Sequence, residues 1–208
     1  MSSVVNPETG AIEEFLWVEA QDGIKLLLEG VSDAQELINP DYAFKVYKNL
    51  YRPSIEQIEN ISMVNIRIGQ VQSKDETNFS MTHTVTYFLD CYVRGQNEAD
   101  PEAPTTLVPA DEVAVERLHY LAAMVYFGVT NLANYYMGLS SGEIVPGKIG
   151  IIFNPVEDAE NSSEPYAPAQ ITFTCDFPYD CQDLQNLPSF EAVKVDFTKW
   201  AAQIFKTS

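Results

Sequence analysis

The two histidines of the sequence, His83 and His119, are the first residues to consider for catalysis or metal binding. Neither belongs to an HExxH motif, and no His, Cys and Asp cluster shows metal-ligand spacing. His83 falls on the apolar side of a predicted strand and His119 inside a predicted helix, where a single histidine is usually structural. The three cysteines are an odd number without CxxC spacing, so they indicate neither a zinc site nor a disulfide framework. We expect no metal and no cofactor, and reduced thiols.

Nucleophile and phosphate motifs are also missing from the sequence. No GxSxG elbow is present. The glycine-dotted segment GLSSGEIVPGKIG, residues 138–150, follows a predicted helix instead of opening one and lacks the lysine of a phosphate loop. We interpret it as a helix stop followed by a turn.

Carboxylates are the remaining candidates for catalysis, because any of the 30 acidic residues could meet in space as a glycosidase pair does. Asp90 is the best candidate for such an acid, but an exposed or inter-subunit polar role is the better interpretation of it. The acid-rich loops lack the alternate-position ligands and turn glycine of an EF-hand. The sequence therefore predicts a protein that is not an enzyme, with an acid-dependent hydrolase as the weaker alternative.

Charge and hydropathy narrow the class of protein further. The 30 acidic and 12 basic residues give a net charge of -18, whereas phosphate binding needs clustered Lys and Arg, so a nucleic-acid-binding surface is not expected. No apolar run is long enough to span a bilayer, and the first 15 residues lack the pattern of a signal peptide. We expect synthesis in the cytosol and no membrane partner.

The stretch SMTHTVTYFLDCYVRG, residues 80–95, predicts one long strand that must position any functional side chain. Every second residue from Met81 to Val93 forms an apolar set, because successive side chains of a strand point to opposite faces. The other face is polar at one end and aromatic and charged at the other. It carries Thr82, Thr84, Thr86, Phe88, Asp90, Tyr92 and Arg94.

The longest predicted helix covers about residues 111–137, where apolar residues recur at helical spacing. Asp111 is its predicted N-cap and Gly138 its predicted stop. The other side of this helix carries Tyr120 and Phe127 where charged residues would be usual, so we expect part of it to be covered, either by the N-terminal segment or by a neighbouring subunit. Residues 11–30 are compatible with a helix interrupted near Gly23 or with two strands joined at Asp22 and Gly23; we favour the helix.

Shorter alternating segments predict the remaining strands, and the fold class follows from them. The strand at 63–71 is expected to pair antiparallel with that at 80–95, as a hairpin with a polar tip. The sequence predicts an α+β fold in a single domain, with a mostly antiparallel sheet covered by the long helix and an N-terminal helix. Further strands are predicted at 44–51, 148–155, 169–179 and 193–197, and exposed acidic loops near 95–110 and 155–168.

The order of these elements resembles that of the tail terminator proteins of tailed bacteriophages, also called tail completion or neck proteins. The resemblance covers roughly residues 40–180 and is one of pattern and order, without a diagnostic signature residue. It rests on YRPSIEQIENISMVNIRIG, THTVTYFLDCYVRG, the acidic loop, the ERLHYLAAMVYFGVTNLANYY helix and the final strand ITFTCDFPY.

This resemblance implies a structural virion protein of the tail or neck, made in the cytoplasm of a bacterial host. Such proteins form a hexameric ring that caps the tail tube, stops its polymerisation and meets a head-side connector protein. The genome passes through the ring without specific binding, which an acidic lumen would favour. A tail-tube protein or another neck or connector protein is the alternative. The expected partners are further copies of the chain, the tube protein and the connector.

The residues expected to meet another subunit or the channel follow from the two surfaces that the sequence leaves unexplained. They are the second face of the strand at 80–95 and the uncharged side of the long helix. The predicted interface residues are Thr82, Thr84, Thr86, Phe88, Asp90, Tyr92, Arg94, Tyr120 and Phe127.

Overall fold

The described part of the chain combines one six-stranded sheet with two long helices. In a computed structural model, the described residues are 4–5, 12–13, 16–50, 62–77, 80–103, 105–131, 143–144, 149–156 and 165–180. The helices are α1 (Leu16–Ile38) and α2 (Ala110–Thr130), and a short 3-10 turn covers Pro40–Tyr42. The strands are β1 (Val4–Val5), β2 (Ile12–Glu13), β3 (Lys45–Lys48), β4 (Ser62–Thr77), β5 (Ser80–Arg94), β6 (Glu98–Ala99), β7 (Leu107–Val108), β8 (Glu143–Ile144), β9 (Gly150–Phe153) and β10 (Tyr166–Asp180).

The main sheet has the strand order β3-β4-β5-β10, and β8 and β9 both pair with the outer side of β10. Only the β3 and β4 pair is parallel among the described strands, and the others are antiparallel. Helix α1 packs on β3 and β4, and α2 packs on β5 and β10. The α+β class and the mostly antiparallel sheet predicted from the sequence are therefore confirmed.

Helix α1 confirms the helical interpretation of the N-terminal segment from Leu16 onward and shows that the predicted interruption was wrong, whereas Ile12 and Glu13 form β2. The helix continues through Gly23 and Ser32 without a break. Ala20, Ile24 and Leu28 are buried at four-residue spacing and bind one side of α1 to the core. Tertiary packing of this stripe outweighs the local turn preference of Asp22 and Gly23.

Helix α2 differs from its prediction at both ends. Its N-cap is Pro109, so Asp111 lies inside the first turn, where a carboxylate is favourable next to the helix dipole. The helix ends at Thr130, because Asn131 is extended with φ -63° and ψ 125°. A continuous helix to Met137 is thus wrong, and residues 132–137 lie outside the described residues.

The core lies between the helices and one face of the sheet, where β5 contributes the residues that alternation predicted. Val85, Tyr87, Leu89, Cys91 and Val93 are all fully buried. Tyr87 stacks on Phe173 of β10 with ring centroids 5.4 Å apart, and its hydroxyl donates a 2.7 Å hydrogen bond to the carbonyl oxygen of Trp17. The thiols of Cys91 and Cys175 are free and buried within this core.

The connections between the strands also differ from expectation in places. Strand β4 continues to Thr77, so most of the polar connection predicted between β4 and β5 is itself strand, with two register irregularities. The acidic segment 95–110 contains the small hairpin of β6 and β7. The predicted strand at 193–197 and residues 157–164 of the second acidic loop lie outside the described residues.

Candidate assembly interface on the open face of the sheet

The face of the main sheet that points away from α1 and α2 is called the open face here. It is formed by β4, β5 and β10, whose long antiparallel pairings align their side chains in rows. Both helices pack on the opposite face. The structure places seven of the nine predicted interface residues together on the open face: Thr82, Thr84, Thr86, Phe88, Asp90, Tyr92 and Arg94.

Asp90 is the centre of a hydrogen-bonded network across three strands. The guanidinium of Arg67 on β4 donates to both carboxylate oxygens, one from Nε and one from Nη2 at 3.0 Å. The amide of Gln170, directly opposite on β10, donates to Oδ1 at 2.8 Å. Asp90 is 5% exposed, whereas the side chain of Arg67 is 41% exposed. Bidentate pairing of this kind holds a carboxylate in one orientation, which makes Asp90 a structural tie between the strands.

The same arginine is fixed from a second side by an aromatic ring. Its guanidinium carbon lies 5.5 Å from the centroid of Phe88, which is its cross-strand partner. The hydrogen bonds to Asp90 raise the pKa of Arg67 above its ordinary value, so the guanidinium stays charged. The Phe88 ring covers Gly69, where an added Cβ would lie 2.2 Å from a ring carbon. Gly69 therefore makes room for the ring on the sheet surface.

The threonine-rich end of the open face is polar. Thr84 donates a 2.6 Å hydrogen bond to Oδ1 of Asp176, its partner on β10. Thr86 lies between Gln70 of β4 and Thr174 of β10 in the pairing register. Rows of β-branched and amide side chains suit a surface that packs against another sheet or chain, and they are also easily solvated.

The opposite end of the open face is aromatic. Tyr92 of β5 and Tyr166 of β10 have ring centroids 6.5 Å apart and an interplanar angle of 48°. Arg94 is the cross-strand partner of Tyr166. All three residues are half-buried, so this end presents aromatic surface next to a cation.

Charge on the open face contrasts with the charge of the whole chain. Alternation and pairing register place four cations and four acidic positions on the described strands of this face, so it is balanced in charge, although the chain carries a net charge of -18. The described acidic residues concentrate instead on the helices and loops. The four cations are Lys45, Arg67, Lys74 and Arg94, and the four acidic positions are Asp90, Glu143, Asp176 and Asp180.

Tyr120 and Phe127, the two predicted interface residues of the helix, lie elsewhere. They are 55% and 69% exposed on α2, in the helical layer, and the structure does not bring them together with the open face. The rings of Tyr120 and Tyr42 have centroids 4.8 Å apart. The guanidinium carbon of Arg117 lies 5.9 Å from the centroid of the Tyr42 ring. The predicted residues thus form two separate surfaces on different layers.

Sequence reasoning missed the partners that define the network, Arg67 and Gln170. Both lie on strands that were predicted, but the register between strands places them against Asp90. The alternation of residues 63–69 was a usable signal for Arg67, because it puts this cation on the face opposite Ile66 and Ile68.

The described residues contain no group of three or more His, Cys, Asp or Glu side chains arranged to hold a metal ion. Among the described helices, none is both long and apolar enough to cross a membrane. No protein-family model matches the chain, and no curated protein sequence is significantly similar to it.

Proposed function

We propose that this protein is a structural subunit of a bacteriophage tail, of the tail terminator kind, which closes into a ring on the end of the tail tube. The observation that carries the proposal is the open face, three long strands wide and covered by neither helix. Its network of Arg67, Asp90 and Gln170 is built to hold a sheet in shape. The order of elements resembles that of tail terminators, which adds to this support.

The charge of the open face favours a contact with a neighbouring subunit over a position lining the channel. A channel wall that lets DNA pass without binding it needs carboxylates. Lysine and arginine would neutralise the phosphates and release their counterions, which favours binding of the DNA. The open face carries as many cations as acidic positions on its described strands, so it is not a wall of carboxylates. The acidic helices and loops are better suited to a lumen.

Closed rings are the direct test of this function. We expect native mass spectrometry and negative-stain images of the purified chain to show a closed oligomer, six-fold if the resemblance holds. Added to growing tail tubes, the ring should stop elongation. Long filaments of the chain alone would support the tail-tube alternative, and a monomer that neither forms rings nor caps tubes would refute the proposal.

A lysine at Thr86 separates the two possible positions of the open face in the ring. Thr86 lies in the threonine-rich end between Gln70 and Thr174, so Thr86→Lys places a long cation there. If this face is a packed subunit contact, the variant should stay monomeric with an unchanged circular dichroism spectrum. Thr105→Lys adds the same charge on an exposed loop and is the matched control. Rings formed equally by both variants would place the open face at the channel.

A further inference from the structure

Strand β3 leaves one backbone edge of the main sheet without a partner strand among the described residues. It pairs in parallel with β4 on its other side, and the amide of Asn49 donates a 2.9 Å hydrogen bond to the carbonyl of Ile66. In a parallel pair, alternate residues bond to the same neighbour. Val46 and Lys48 therefore turn their N–H and C=O groups toward the outer edge.

Ser32 of α1 closes one end of this edge. Its hydroxyl donates to the carbonyl oxygen of Phe44 at 2.7 Å and accepts from the amide of Phe44 at 2.9 Å. Phe44 precedes β3 and has the same orientation as Val46. The serine side chain thus occupies the position that a paired strand residue would take, and the edge continues from Val46.

A groove of about 660 Å³ lies between α1 and this edge. Its helix side carries Glu29, Ser32, Asp33 and Glu36, whose spacing puts them on one side of α1. Its strand side is formed by residues 43–46, and Asp41 stands at the end of the groove. Four carboxylates therefore line a sheet edge that can accept another strand, and alternation places the Lys45 side chain on the open face of the sheet.

We propose that an extended segment of another protein, bearing lysine or arginine at alternate positions, adds to the outer edge of β3 and lies in this groove. Strand addition between an edge strand and a helix binds through main-chain hydrogen bonds, while side chains of the segment give specificity. The groove carboxylates provide the charge complementarity for a basic segment. This site stands independently of ring assembly.

The composition of the chain argues against a second copy as the occupant. The chain has 12 basic residues against 30 acidic ones, so a copy brings net negative charge to an acidic groove. A basic segment of a different protein instead gains attraction and pairs the backbone groups of Val46 and Lys48.

The test uses a fluorescein-labelled ten-residue peptide of alternating lysine and valine, titrated with the full chain at about 0.1 M salt in a fluorescence anisotropy assay. Two further peptides carry N-methyl groups on the amides of one or the other set of alternate residues. Strand addition predicts that one methylated peptide binds about tenfold more weakly than the other, because only one edge of the peptide faces β3. It also predicts slower hydrogen exchange of the Val46 and Lys48 amides in the complex.

Charge variants locate the peptide on the molecule. Asp33→Asn with Glu36→Gln removes two exposed groove carboxylates and should weaken binding about fivefold. Asp111→Asn with Glu112→Gln removes two exposed carboxylates from α2, outside the groove, and should leave binding unchanged.

Four outcomes would overturn the proposal. The first is no binding of the lysine peptide to the wild-type chain, and the second is equal affinity of both methylated peptides. The third is an equal loss in the two charge variants, which would mean diffuse attraction to an acidic protein. The fourth is a change of oligomeric state in the groove variant without peptide binding, which would make a second copy the occupant.

Discussion

Replacing Asp90 by asparagine tests whether the network on the open face is a structural tie. The substitution keeps the shape of the side chain and one oxygen acceptor but removes the charge. It also turns an amide donor toward Arg67 or Gln170, both of which are donors to Asp90 in the wild type. We expect Asp90→Asn to fold into the same structure with a lower free energy of unfolding.

The size of the loss follows from the exposure of the partners. A hydrogen bond to a charged group contributes about 1.5–3 kcal/mol, and breaking a fully buried ion pair costs about 3–5 kcal/mol. The carboxylate is 5% exposed, but the Arg67 side chain is 41% exposed and regains water when its partner is lost. We therefore expect a loss of about 2 kcal/mol, which corresponds to a fall in Tm of about 4–8 °C for a chain of this length.

Urea unfolding followed by circular dichroism measures this loss, and Asp33→Asn is the matched control on the exposed side of α1. The control should change the free energy of unfolding by less than about 0.5 kcal/mol. A double-mutant cycle with Arg67→Gln should give a coupling energy of at least about 1 kcal/mol. Equal stability of Asp90→Asn and the wild type, or zero coupling to Arg67, would refute the structural interpretation.

Three further perturbations have expected outcomes that follow from local geometry. Gly95→Ala should lower the free energy of unfolding in urea by about 3 kcal/mol, because the added Cβ would lie 1.9 Å from a backbone carbonyl oxygen. Gly30 is exposed in α1, and Gly30→Ala should raise the free energy of unfolding by about 0.5–1 kcal/mol. Equal effects of the two substitutions would contradict this packing. Burial raises the pKa of Cys91 and of Cys175, so both thiols should resist iodoacetamide at pH 8 until denaturant is added. The free energy of unfolding that these thiols contribute is fully present below about pH 8.5 and should fall as the pH rises above it. Rapid labelling of either thiol in the native protein would be contrary evidence. Burial lowers the pKa of His83, so its imidazole NMR titration should have a midpoint below 6.5. The stability that His83 contributes above pH 6.5 should be lost as the pH falls through this midpoint. A midpoint above 6.5 would contradict its burial.

Alternation in the sequence was sufficient to predict the two faces of β5, because a strand buried on one side must repeat with period two. It was not sufficient for the end of α2. The apolar pattern continues beyond Thr130, but a pattern of burial does not require a continuous helix. Thr130 follows the β-branched Val129, and its hydroxyl bonds back to the carbonyl of Tyr126 at 2.8 Å, which weakens the last turn.

The sequence predicted which residues of a single strand share the open face, but it did not predict the contacts between strands. The row from Thr82 to Arg94 follows from the sequence of β5 alone. The contact between Asp90 and Gln170 depends on the register of two strands separated by 80 positions in the chain, and no local pattern records that register. The distance between the helical residue Phe127 and the open face depends in the same way on which face of the sheet the helices cover.

Strand β5 pairs with β4, which directly precedes it in the chain, and with β10, which follows much later, so its two edges are covered at different times during synthesis. Strand β4 leaves the ribosome just before β5, so their hairpin can form at once. Strand β10 follows only after the stretch from Arg94 to Asp180 has been made, which takes roughly 4–17 s at about 5–20 residues per second. Over that interval the 15-residue backbone edge of β5 is open to other nascent chains. Misfolding of this protein should therefore begin at the edge that β10 later covers.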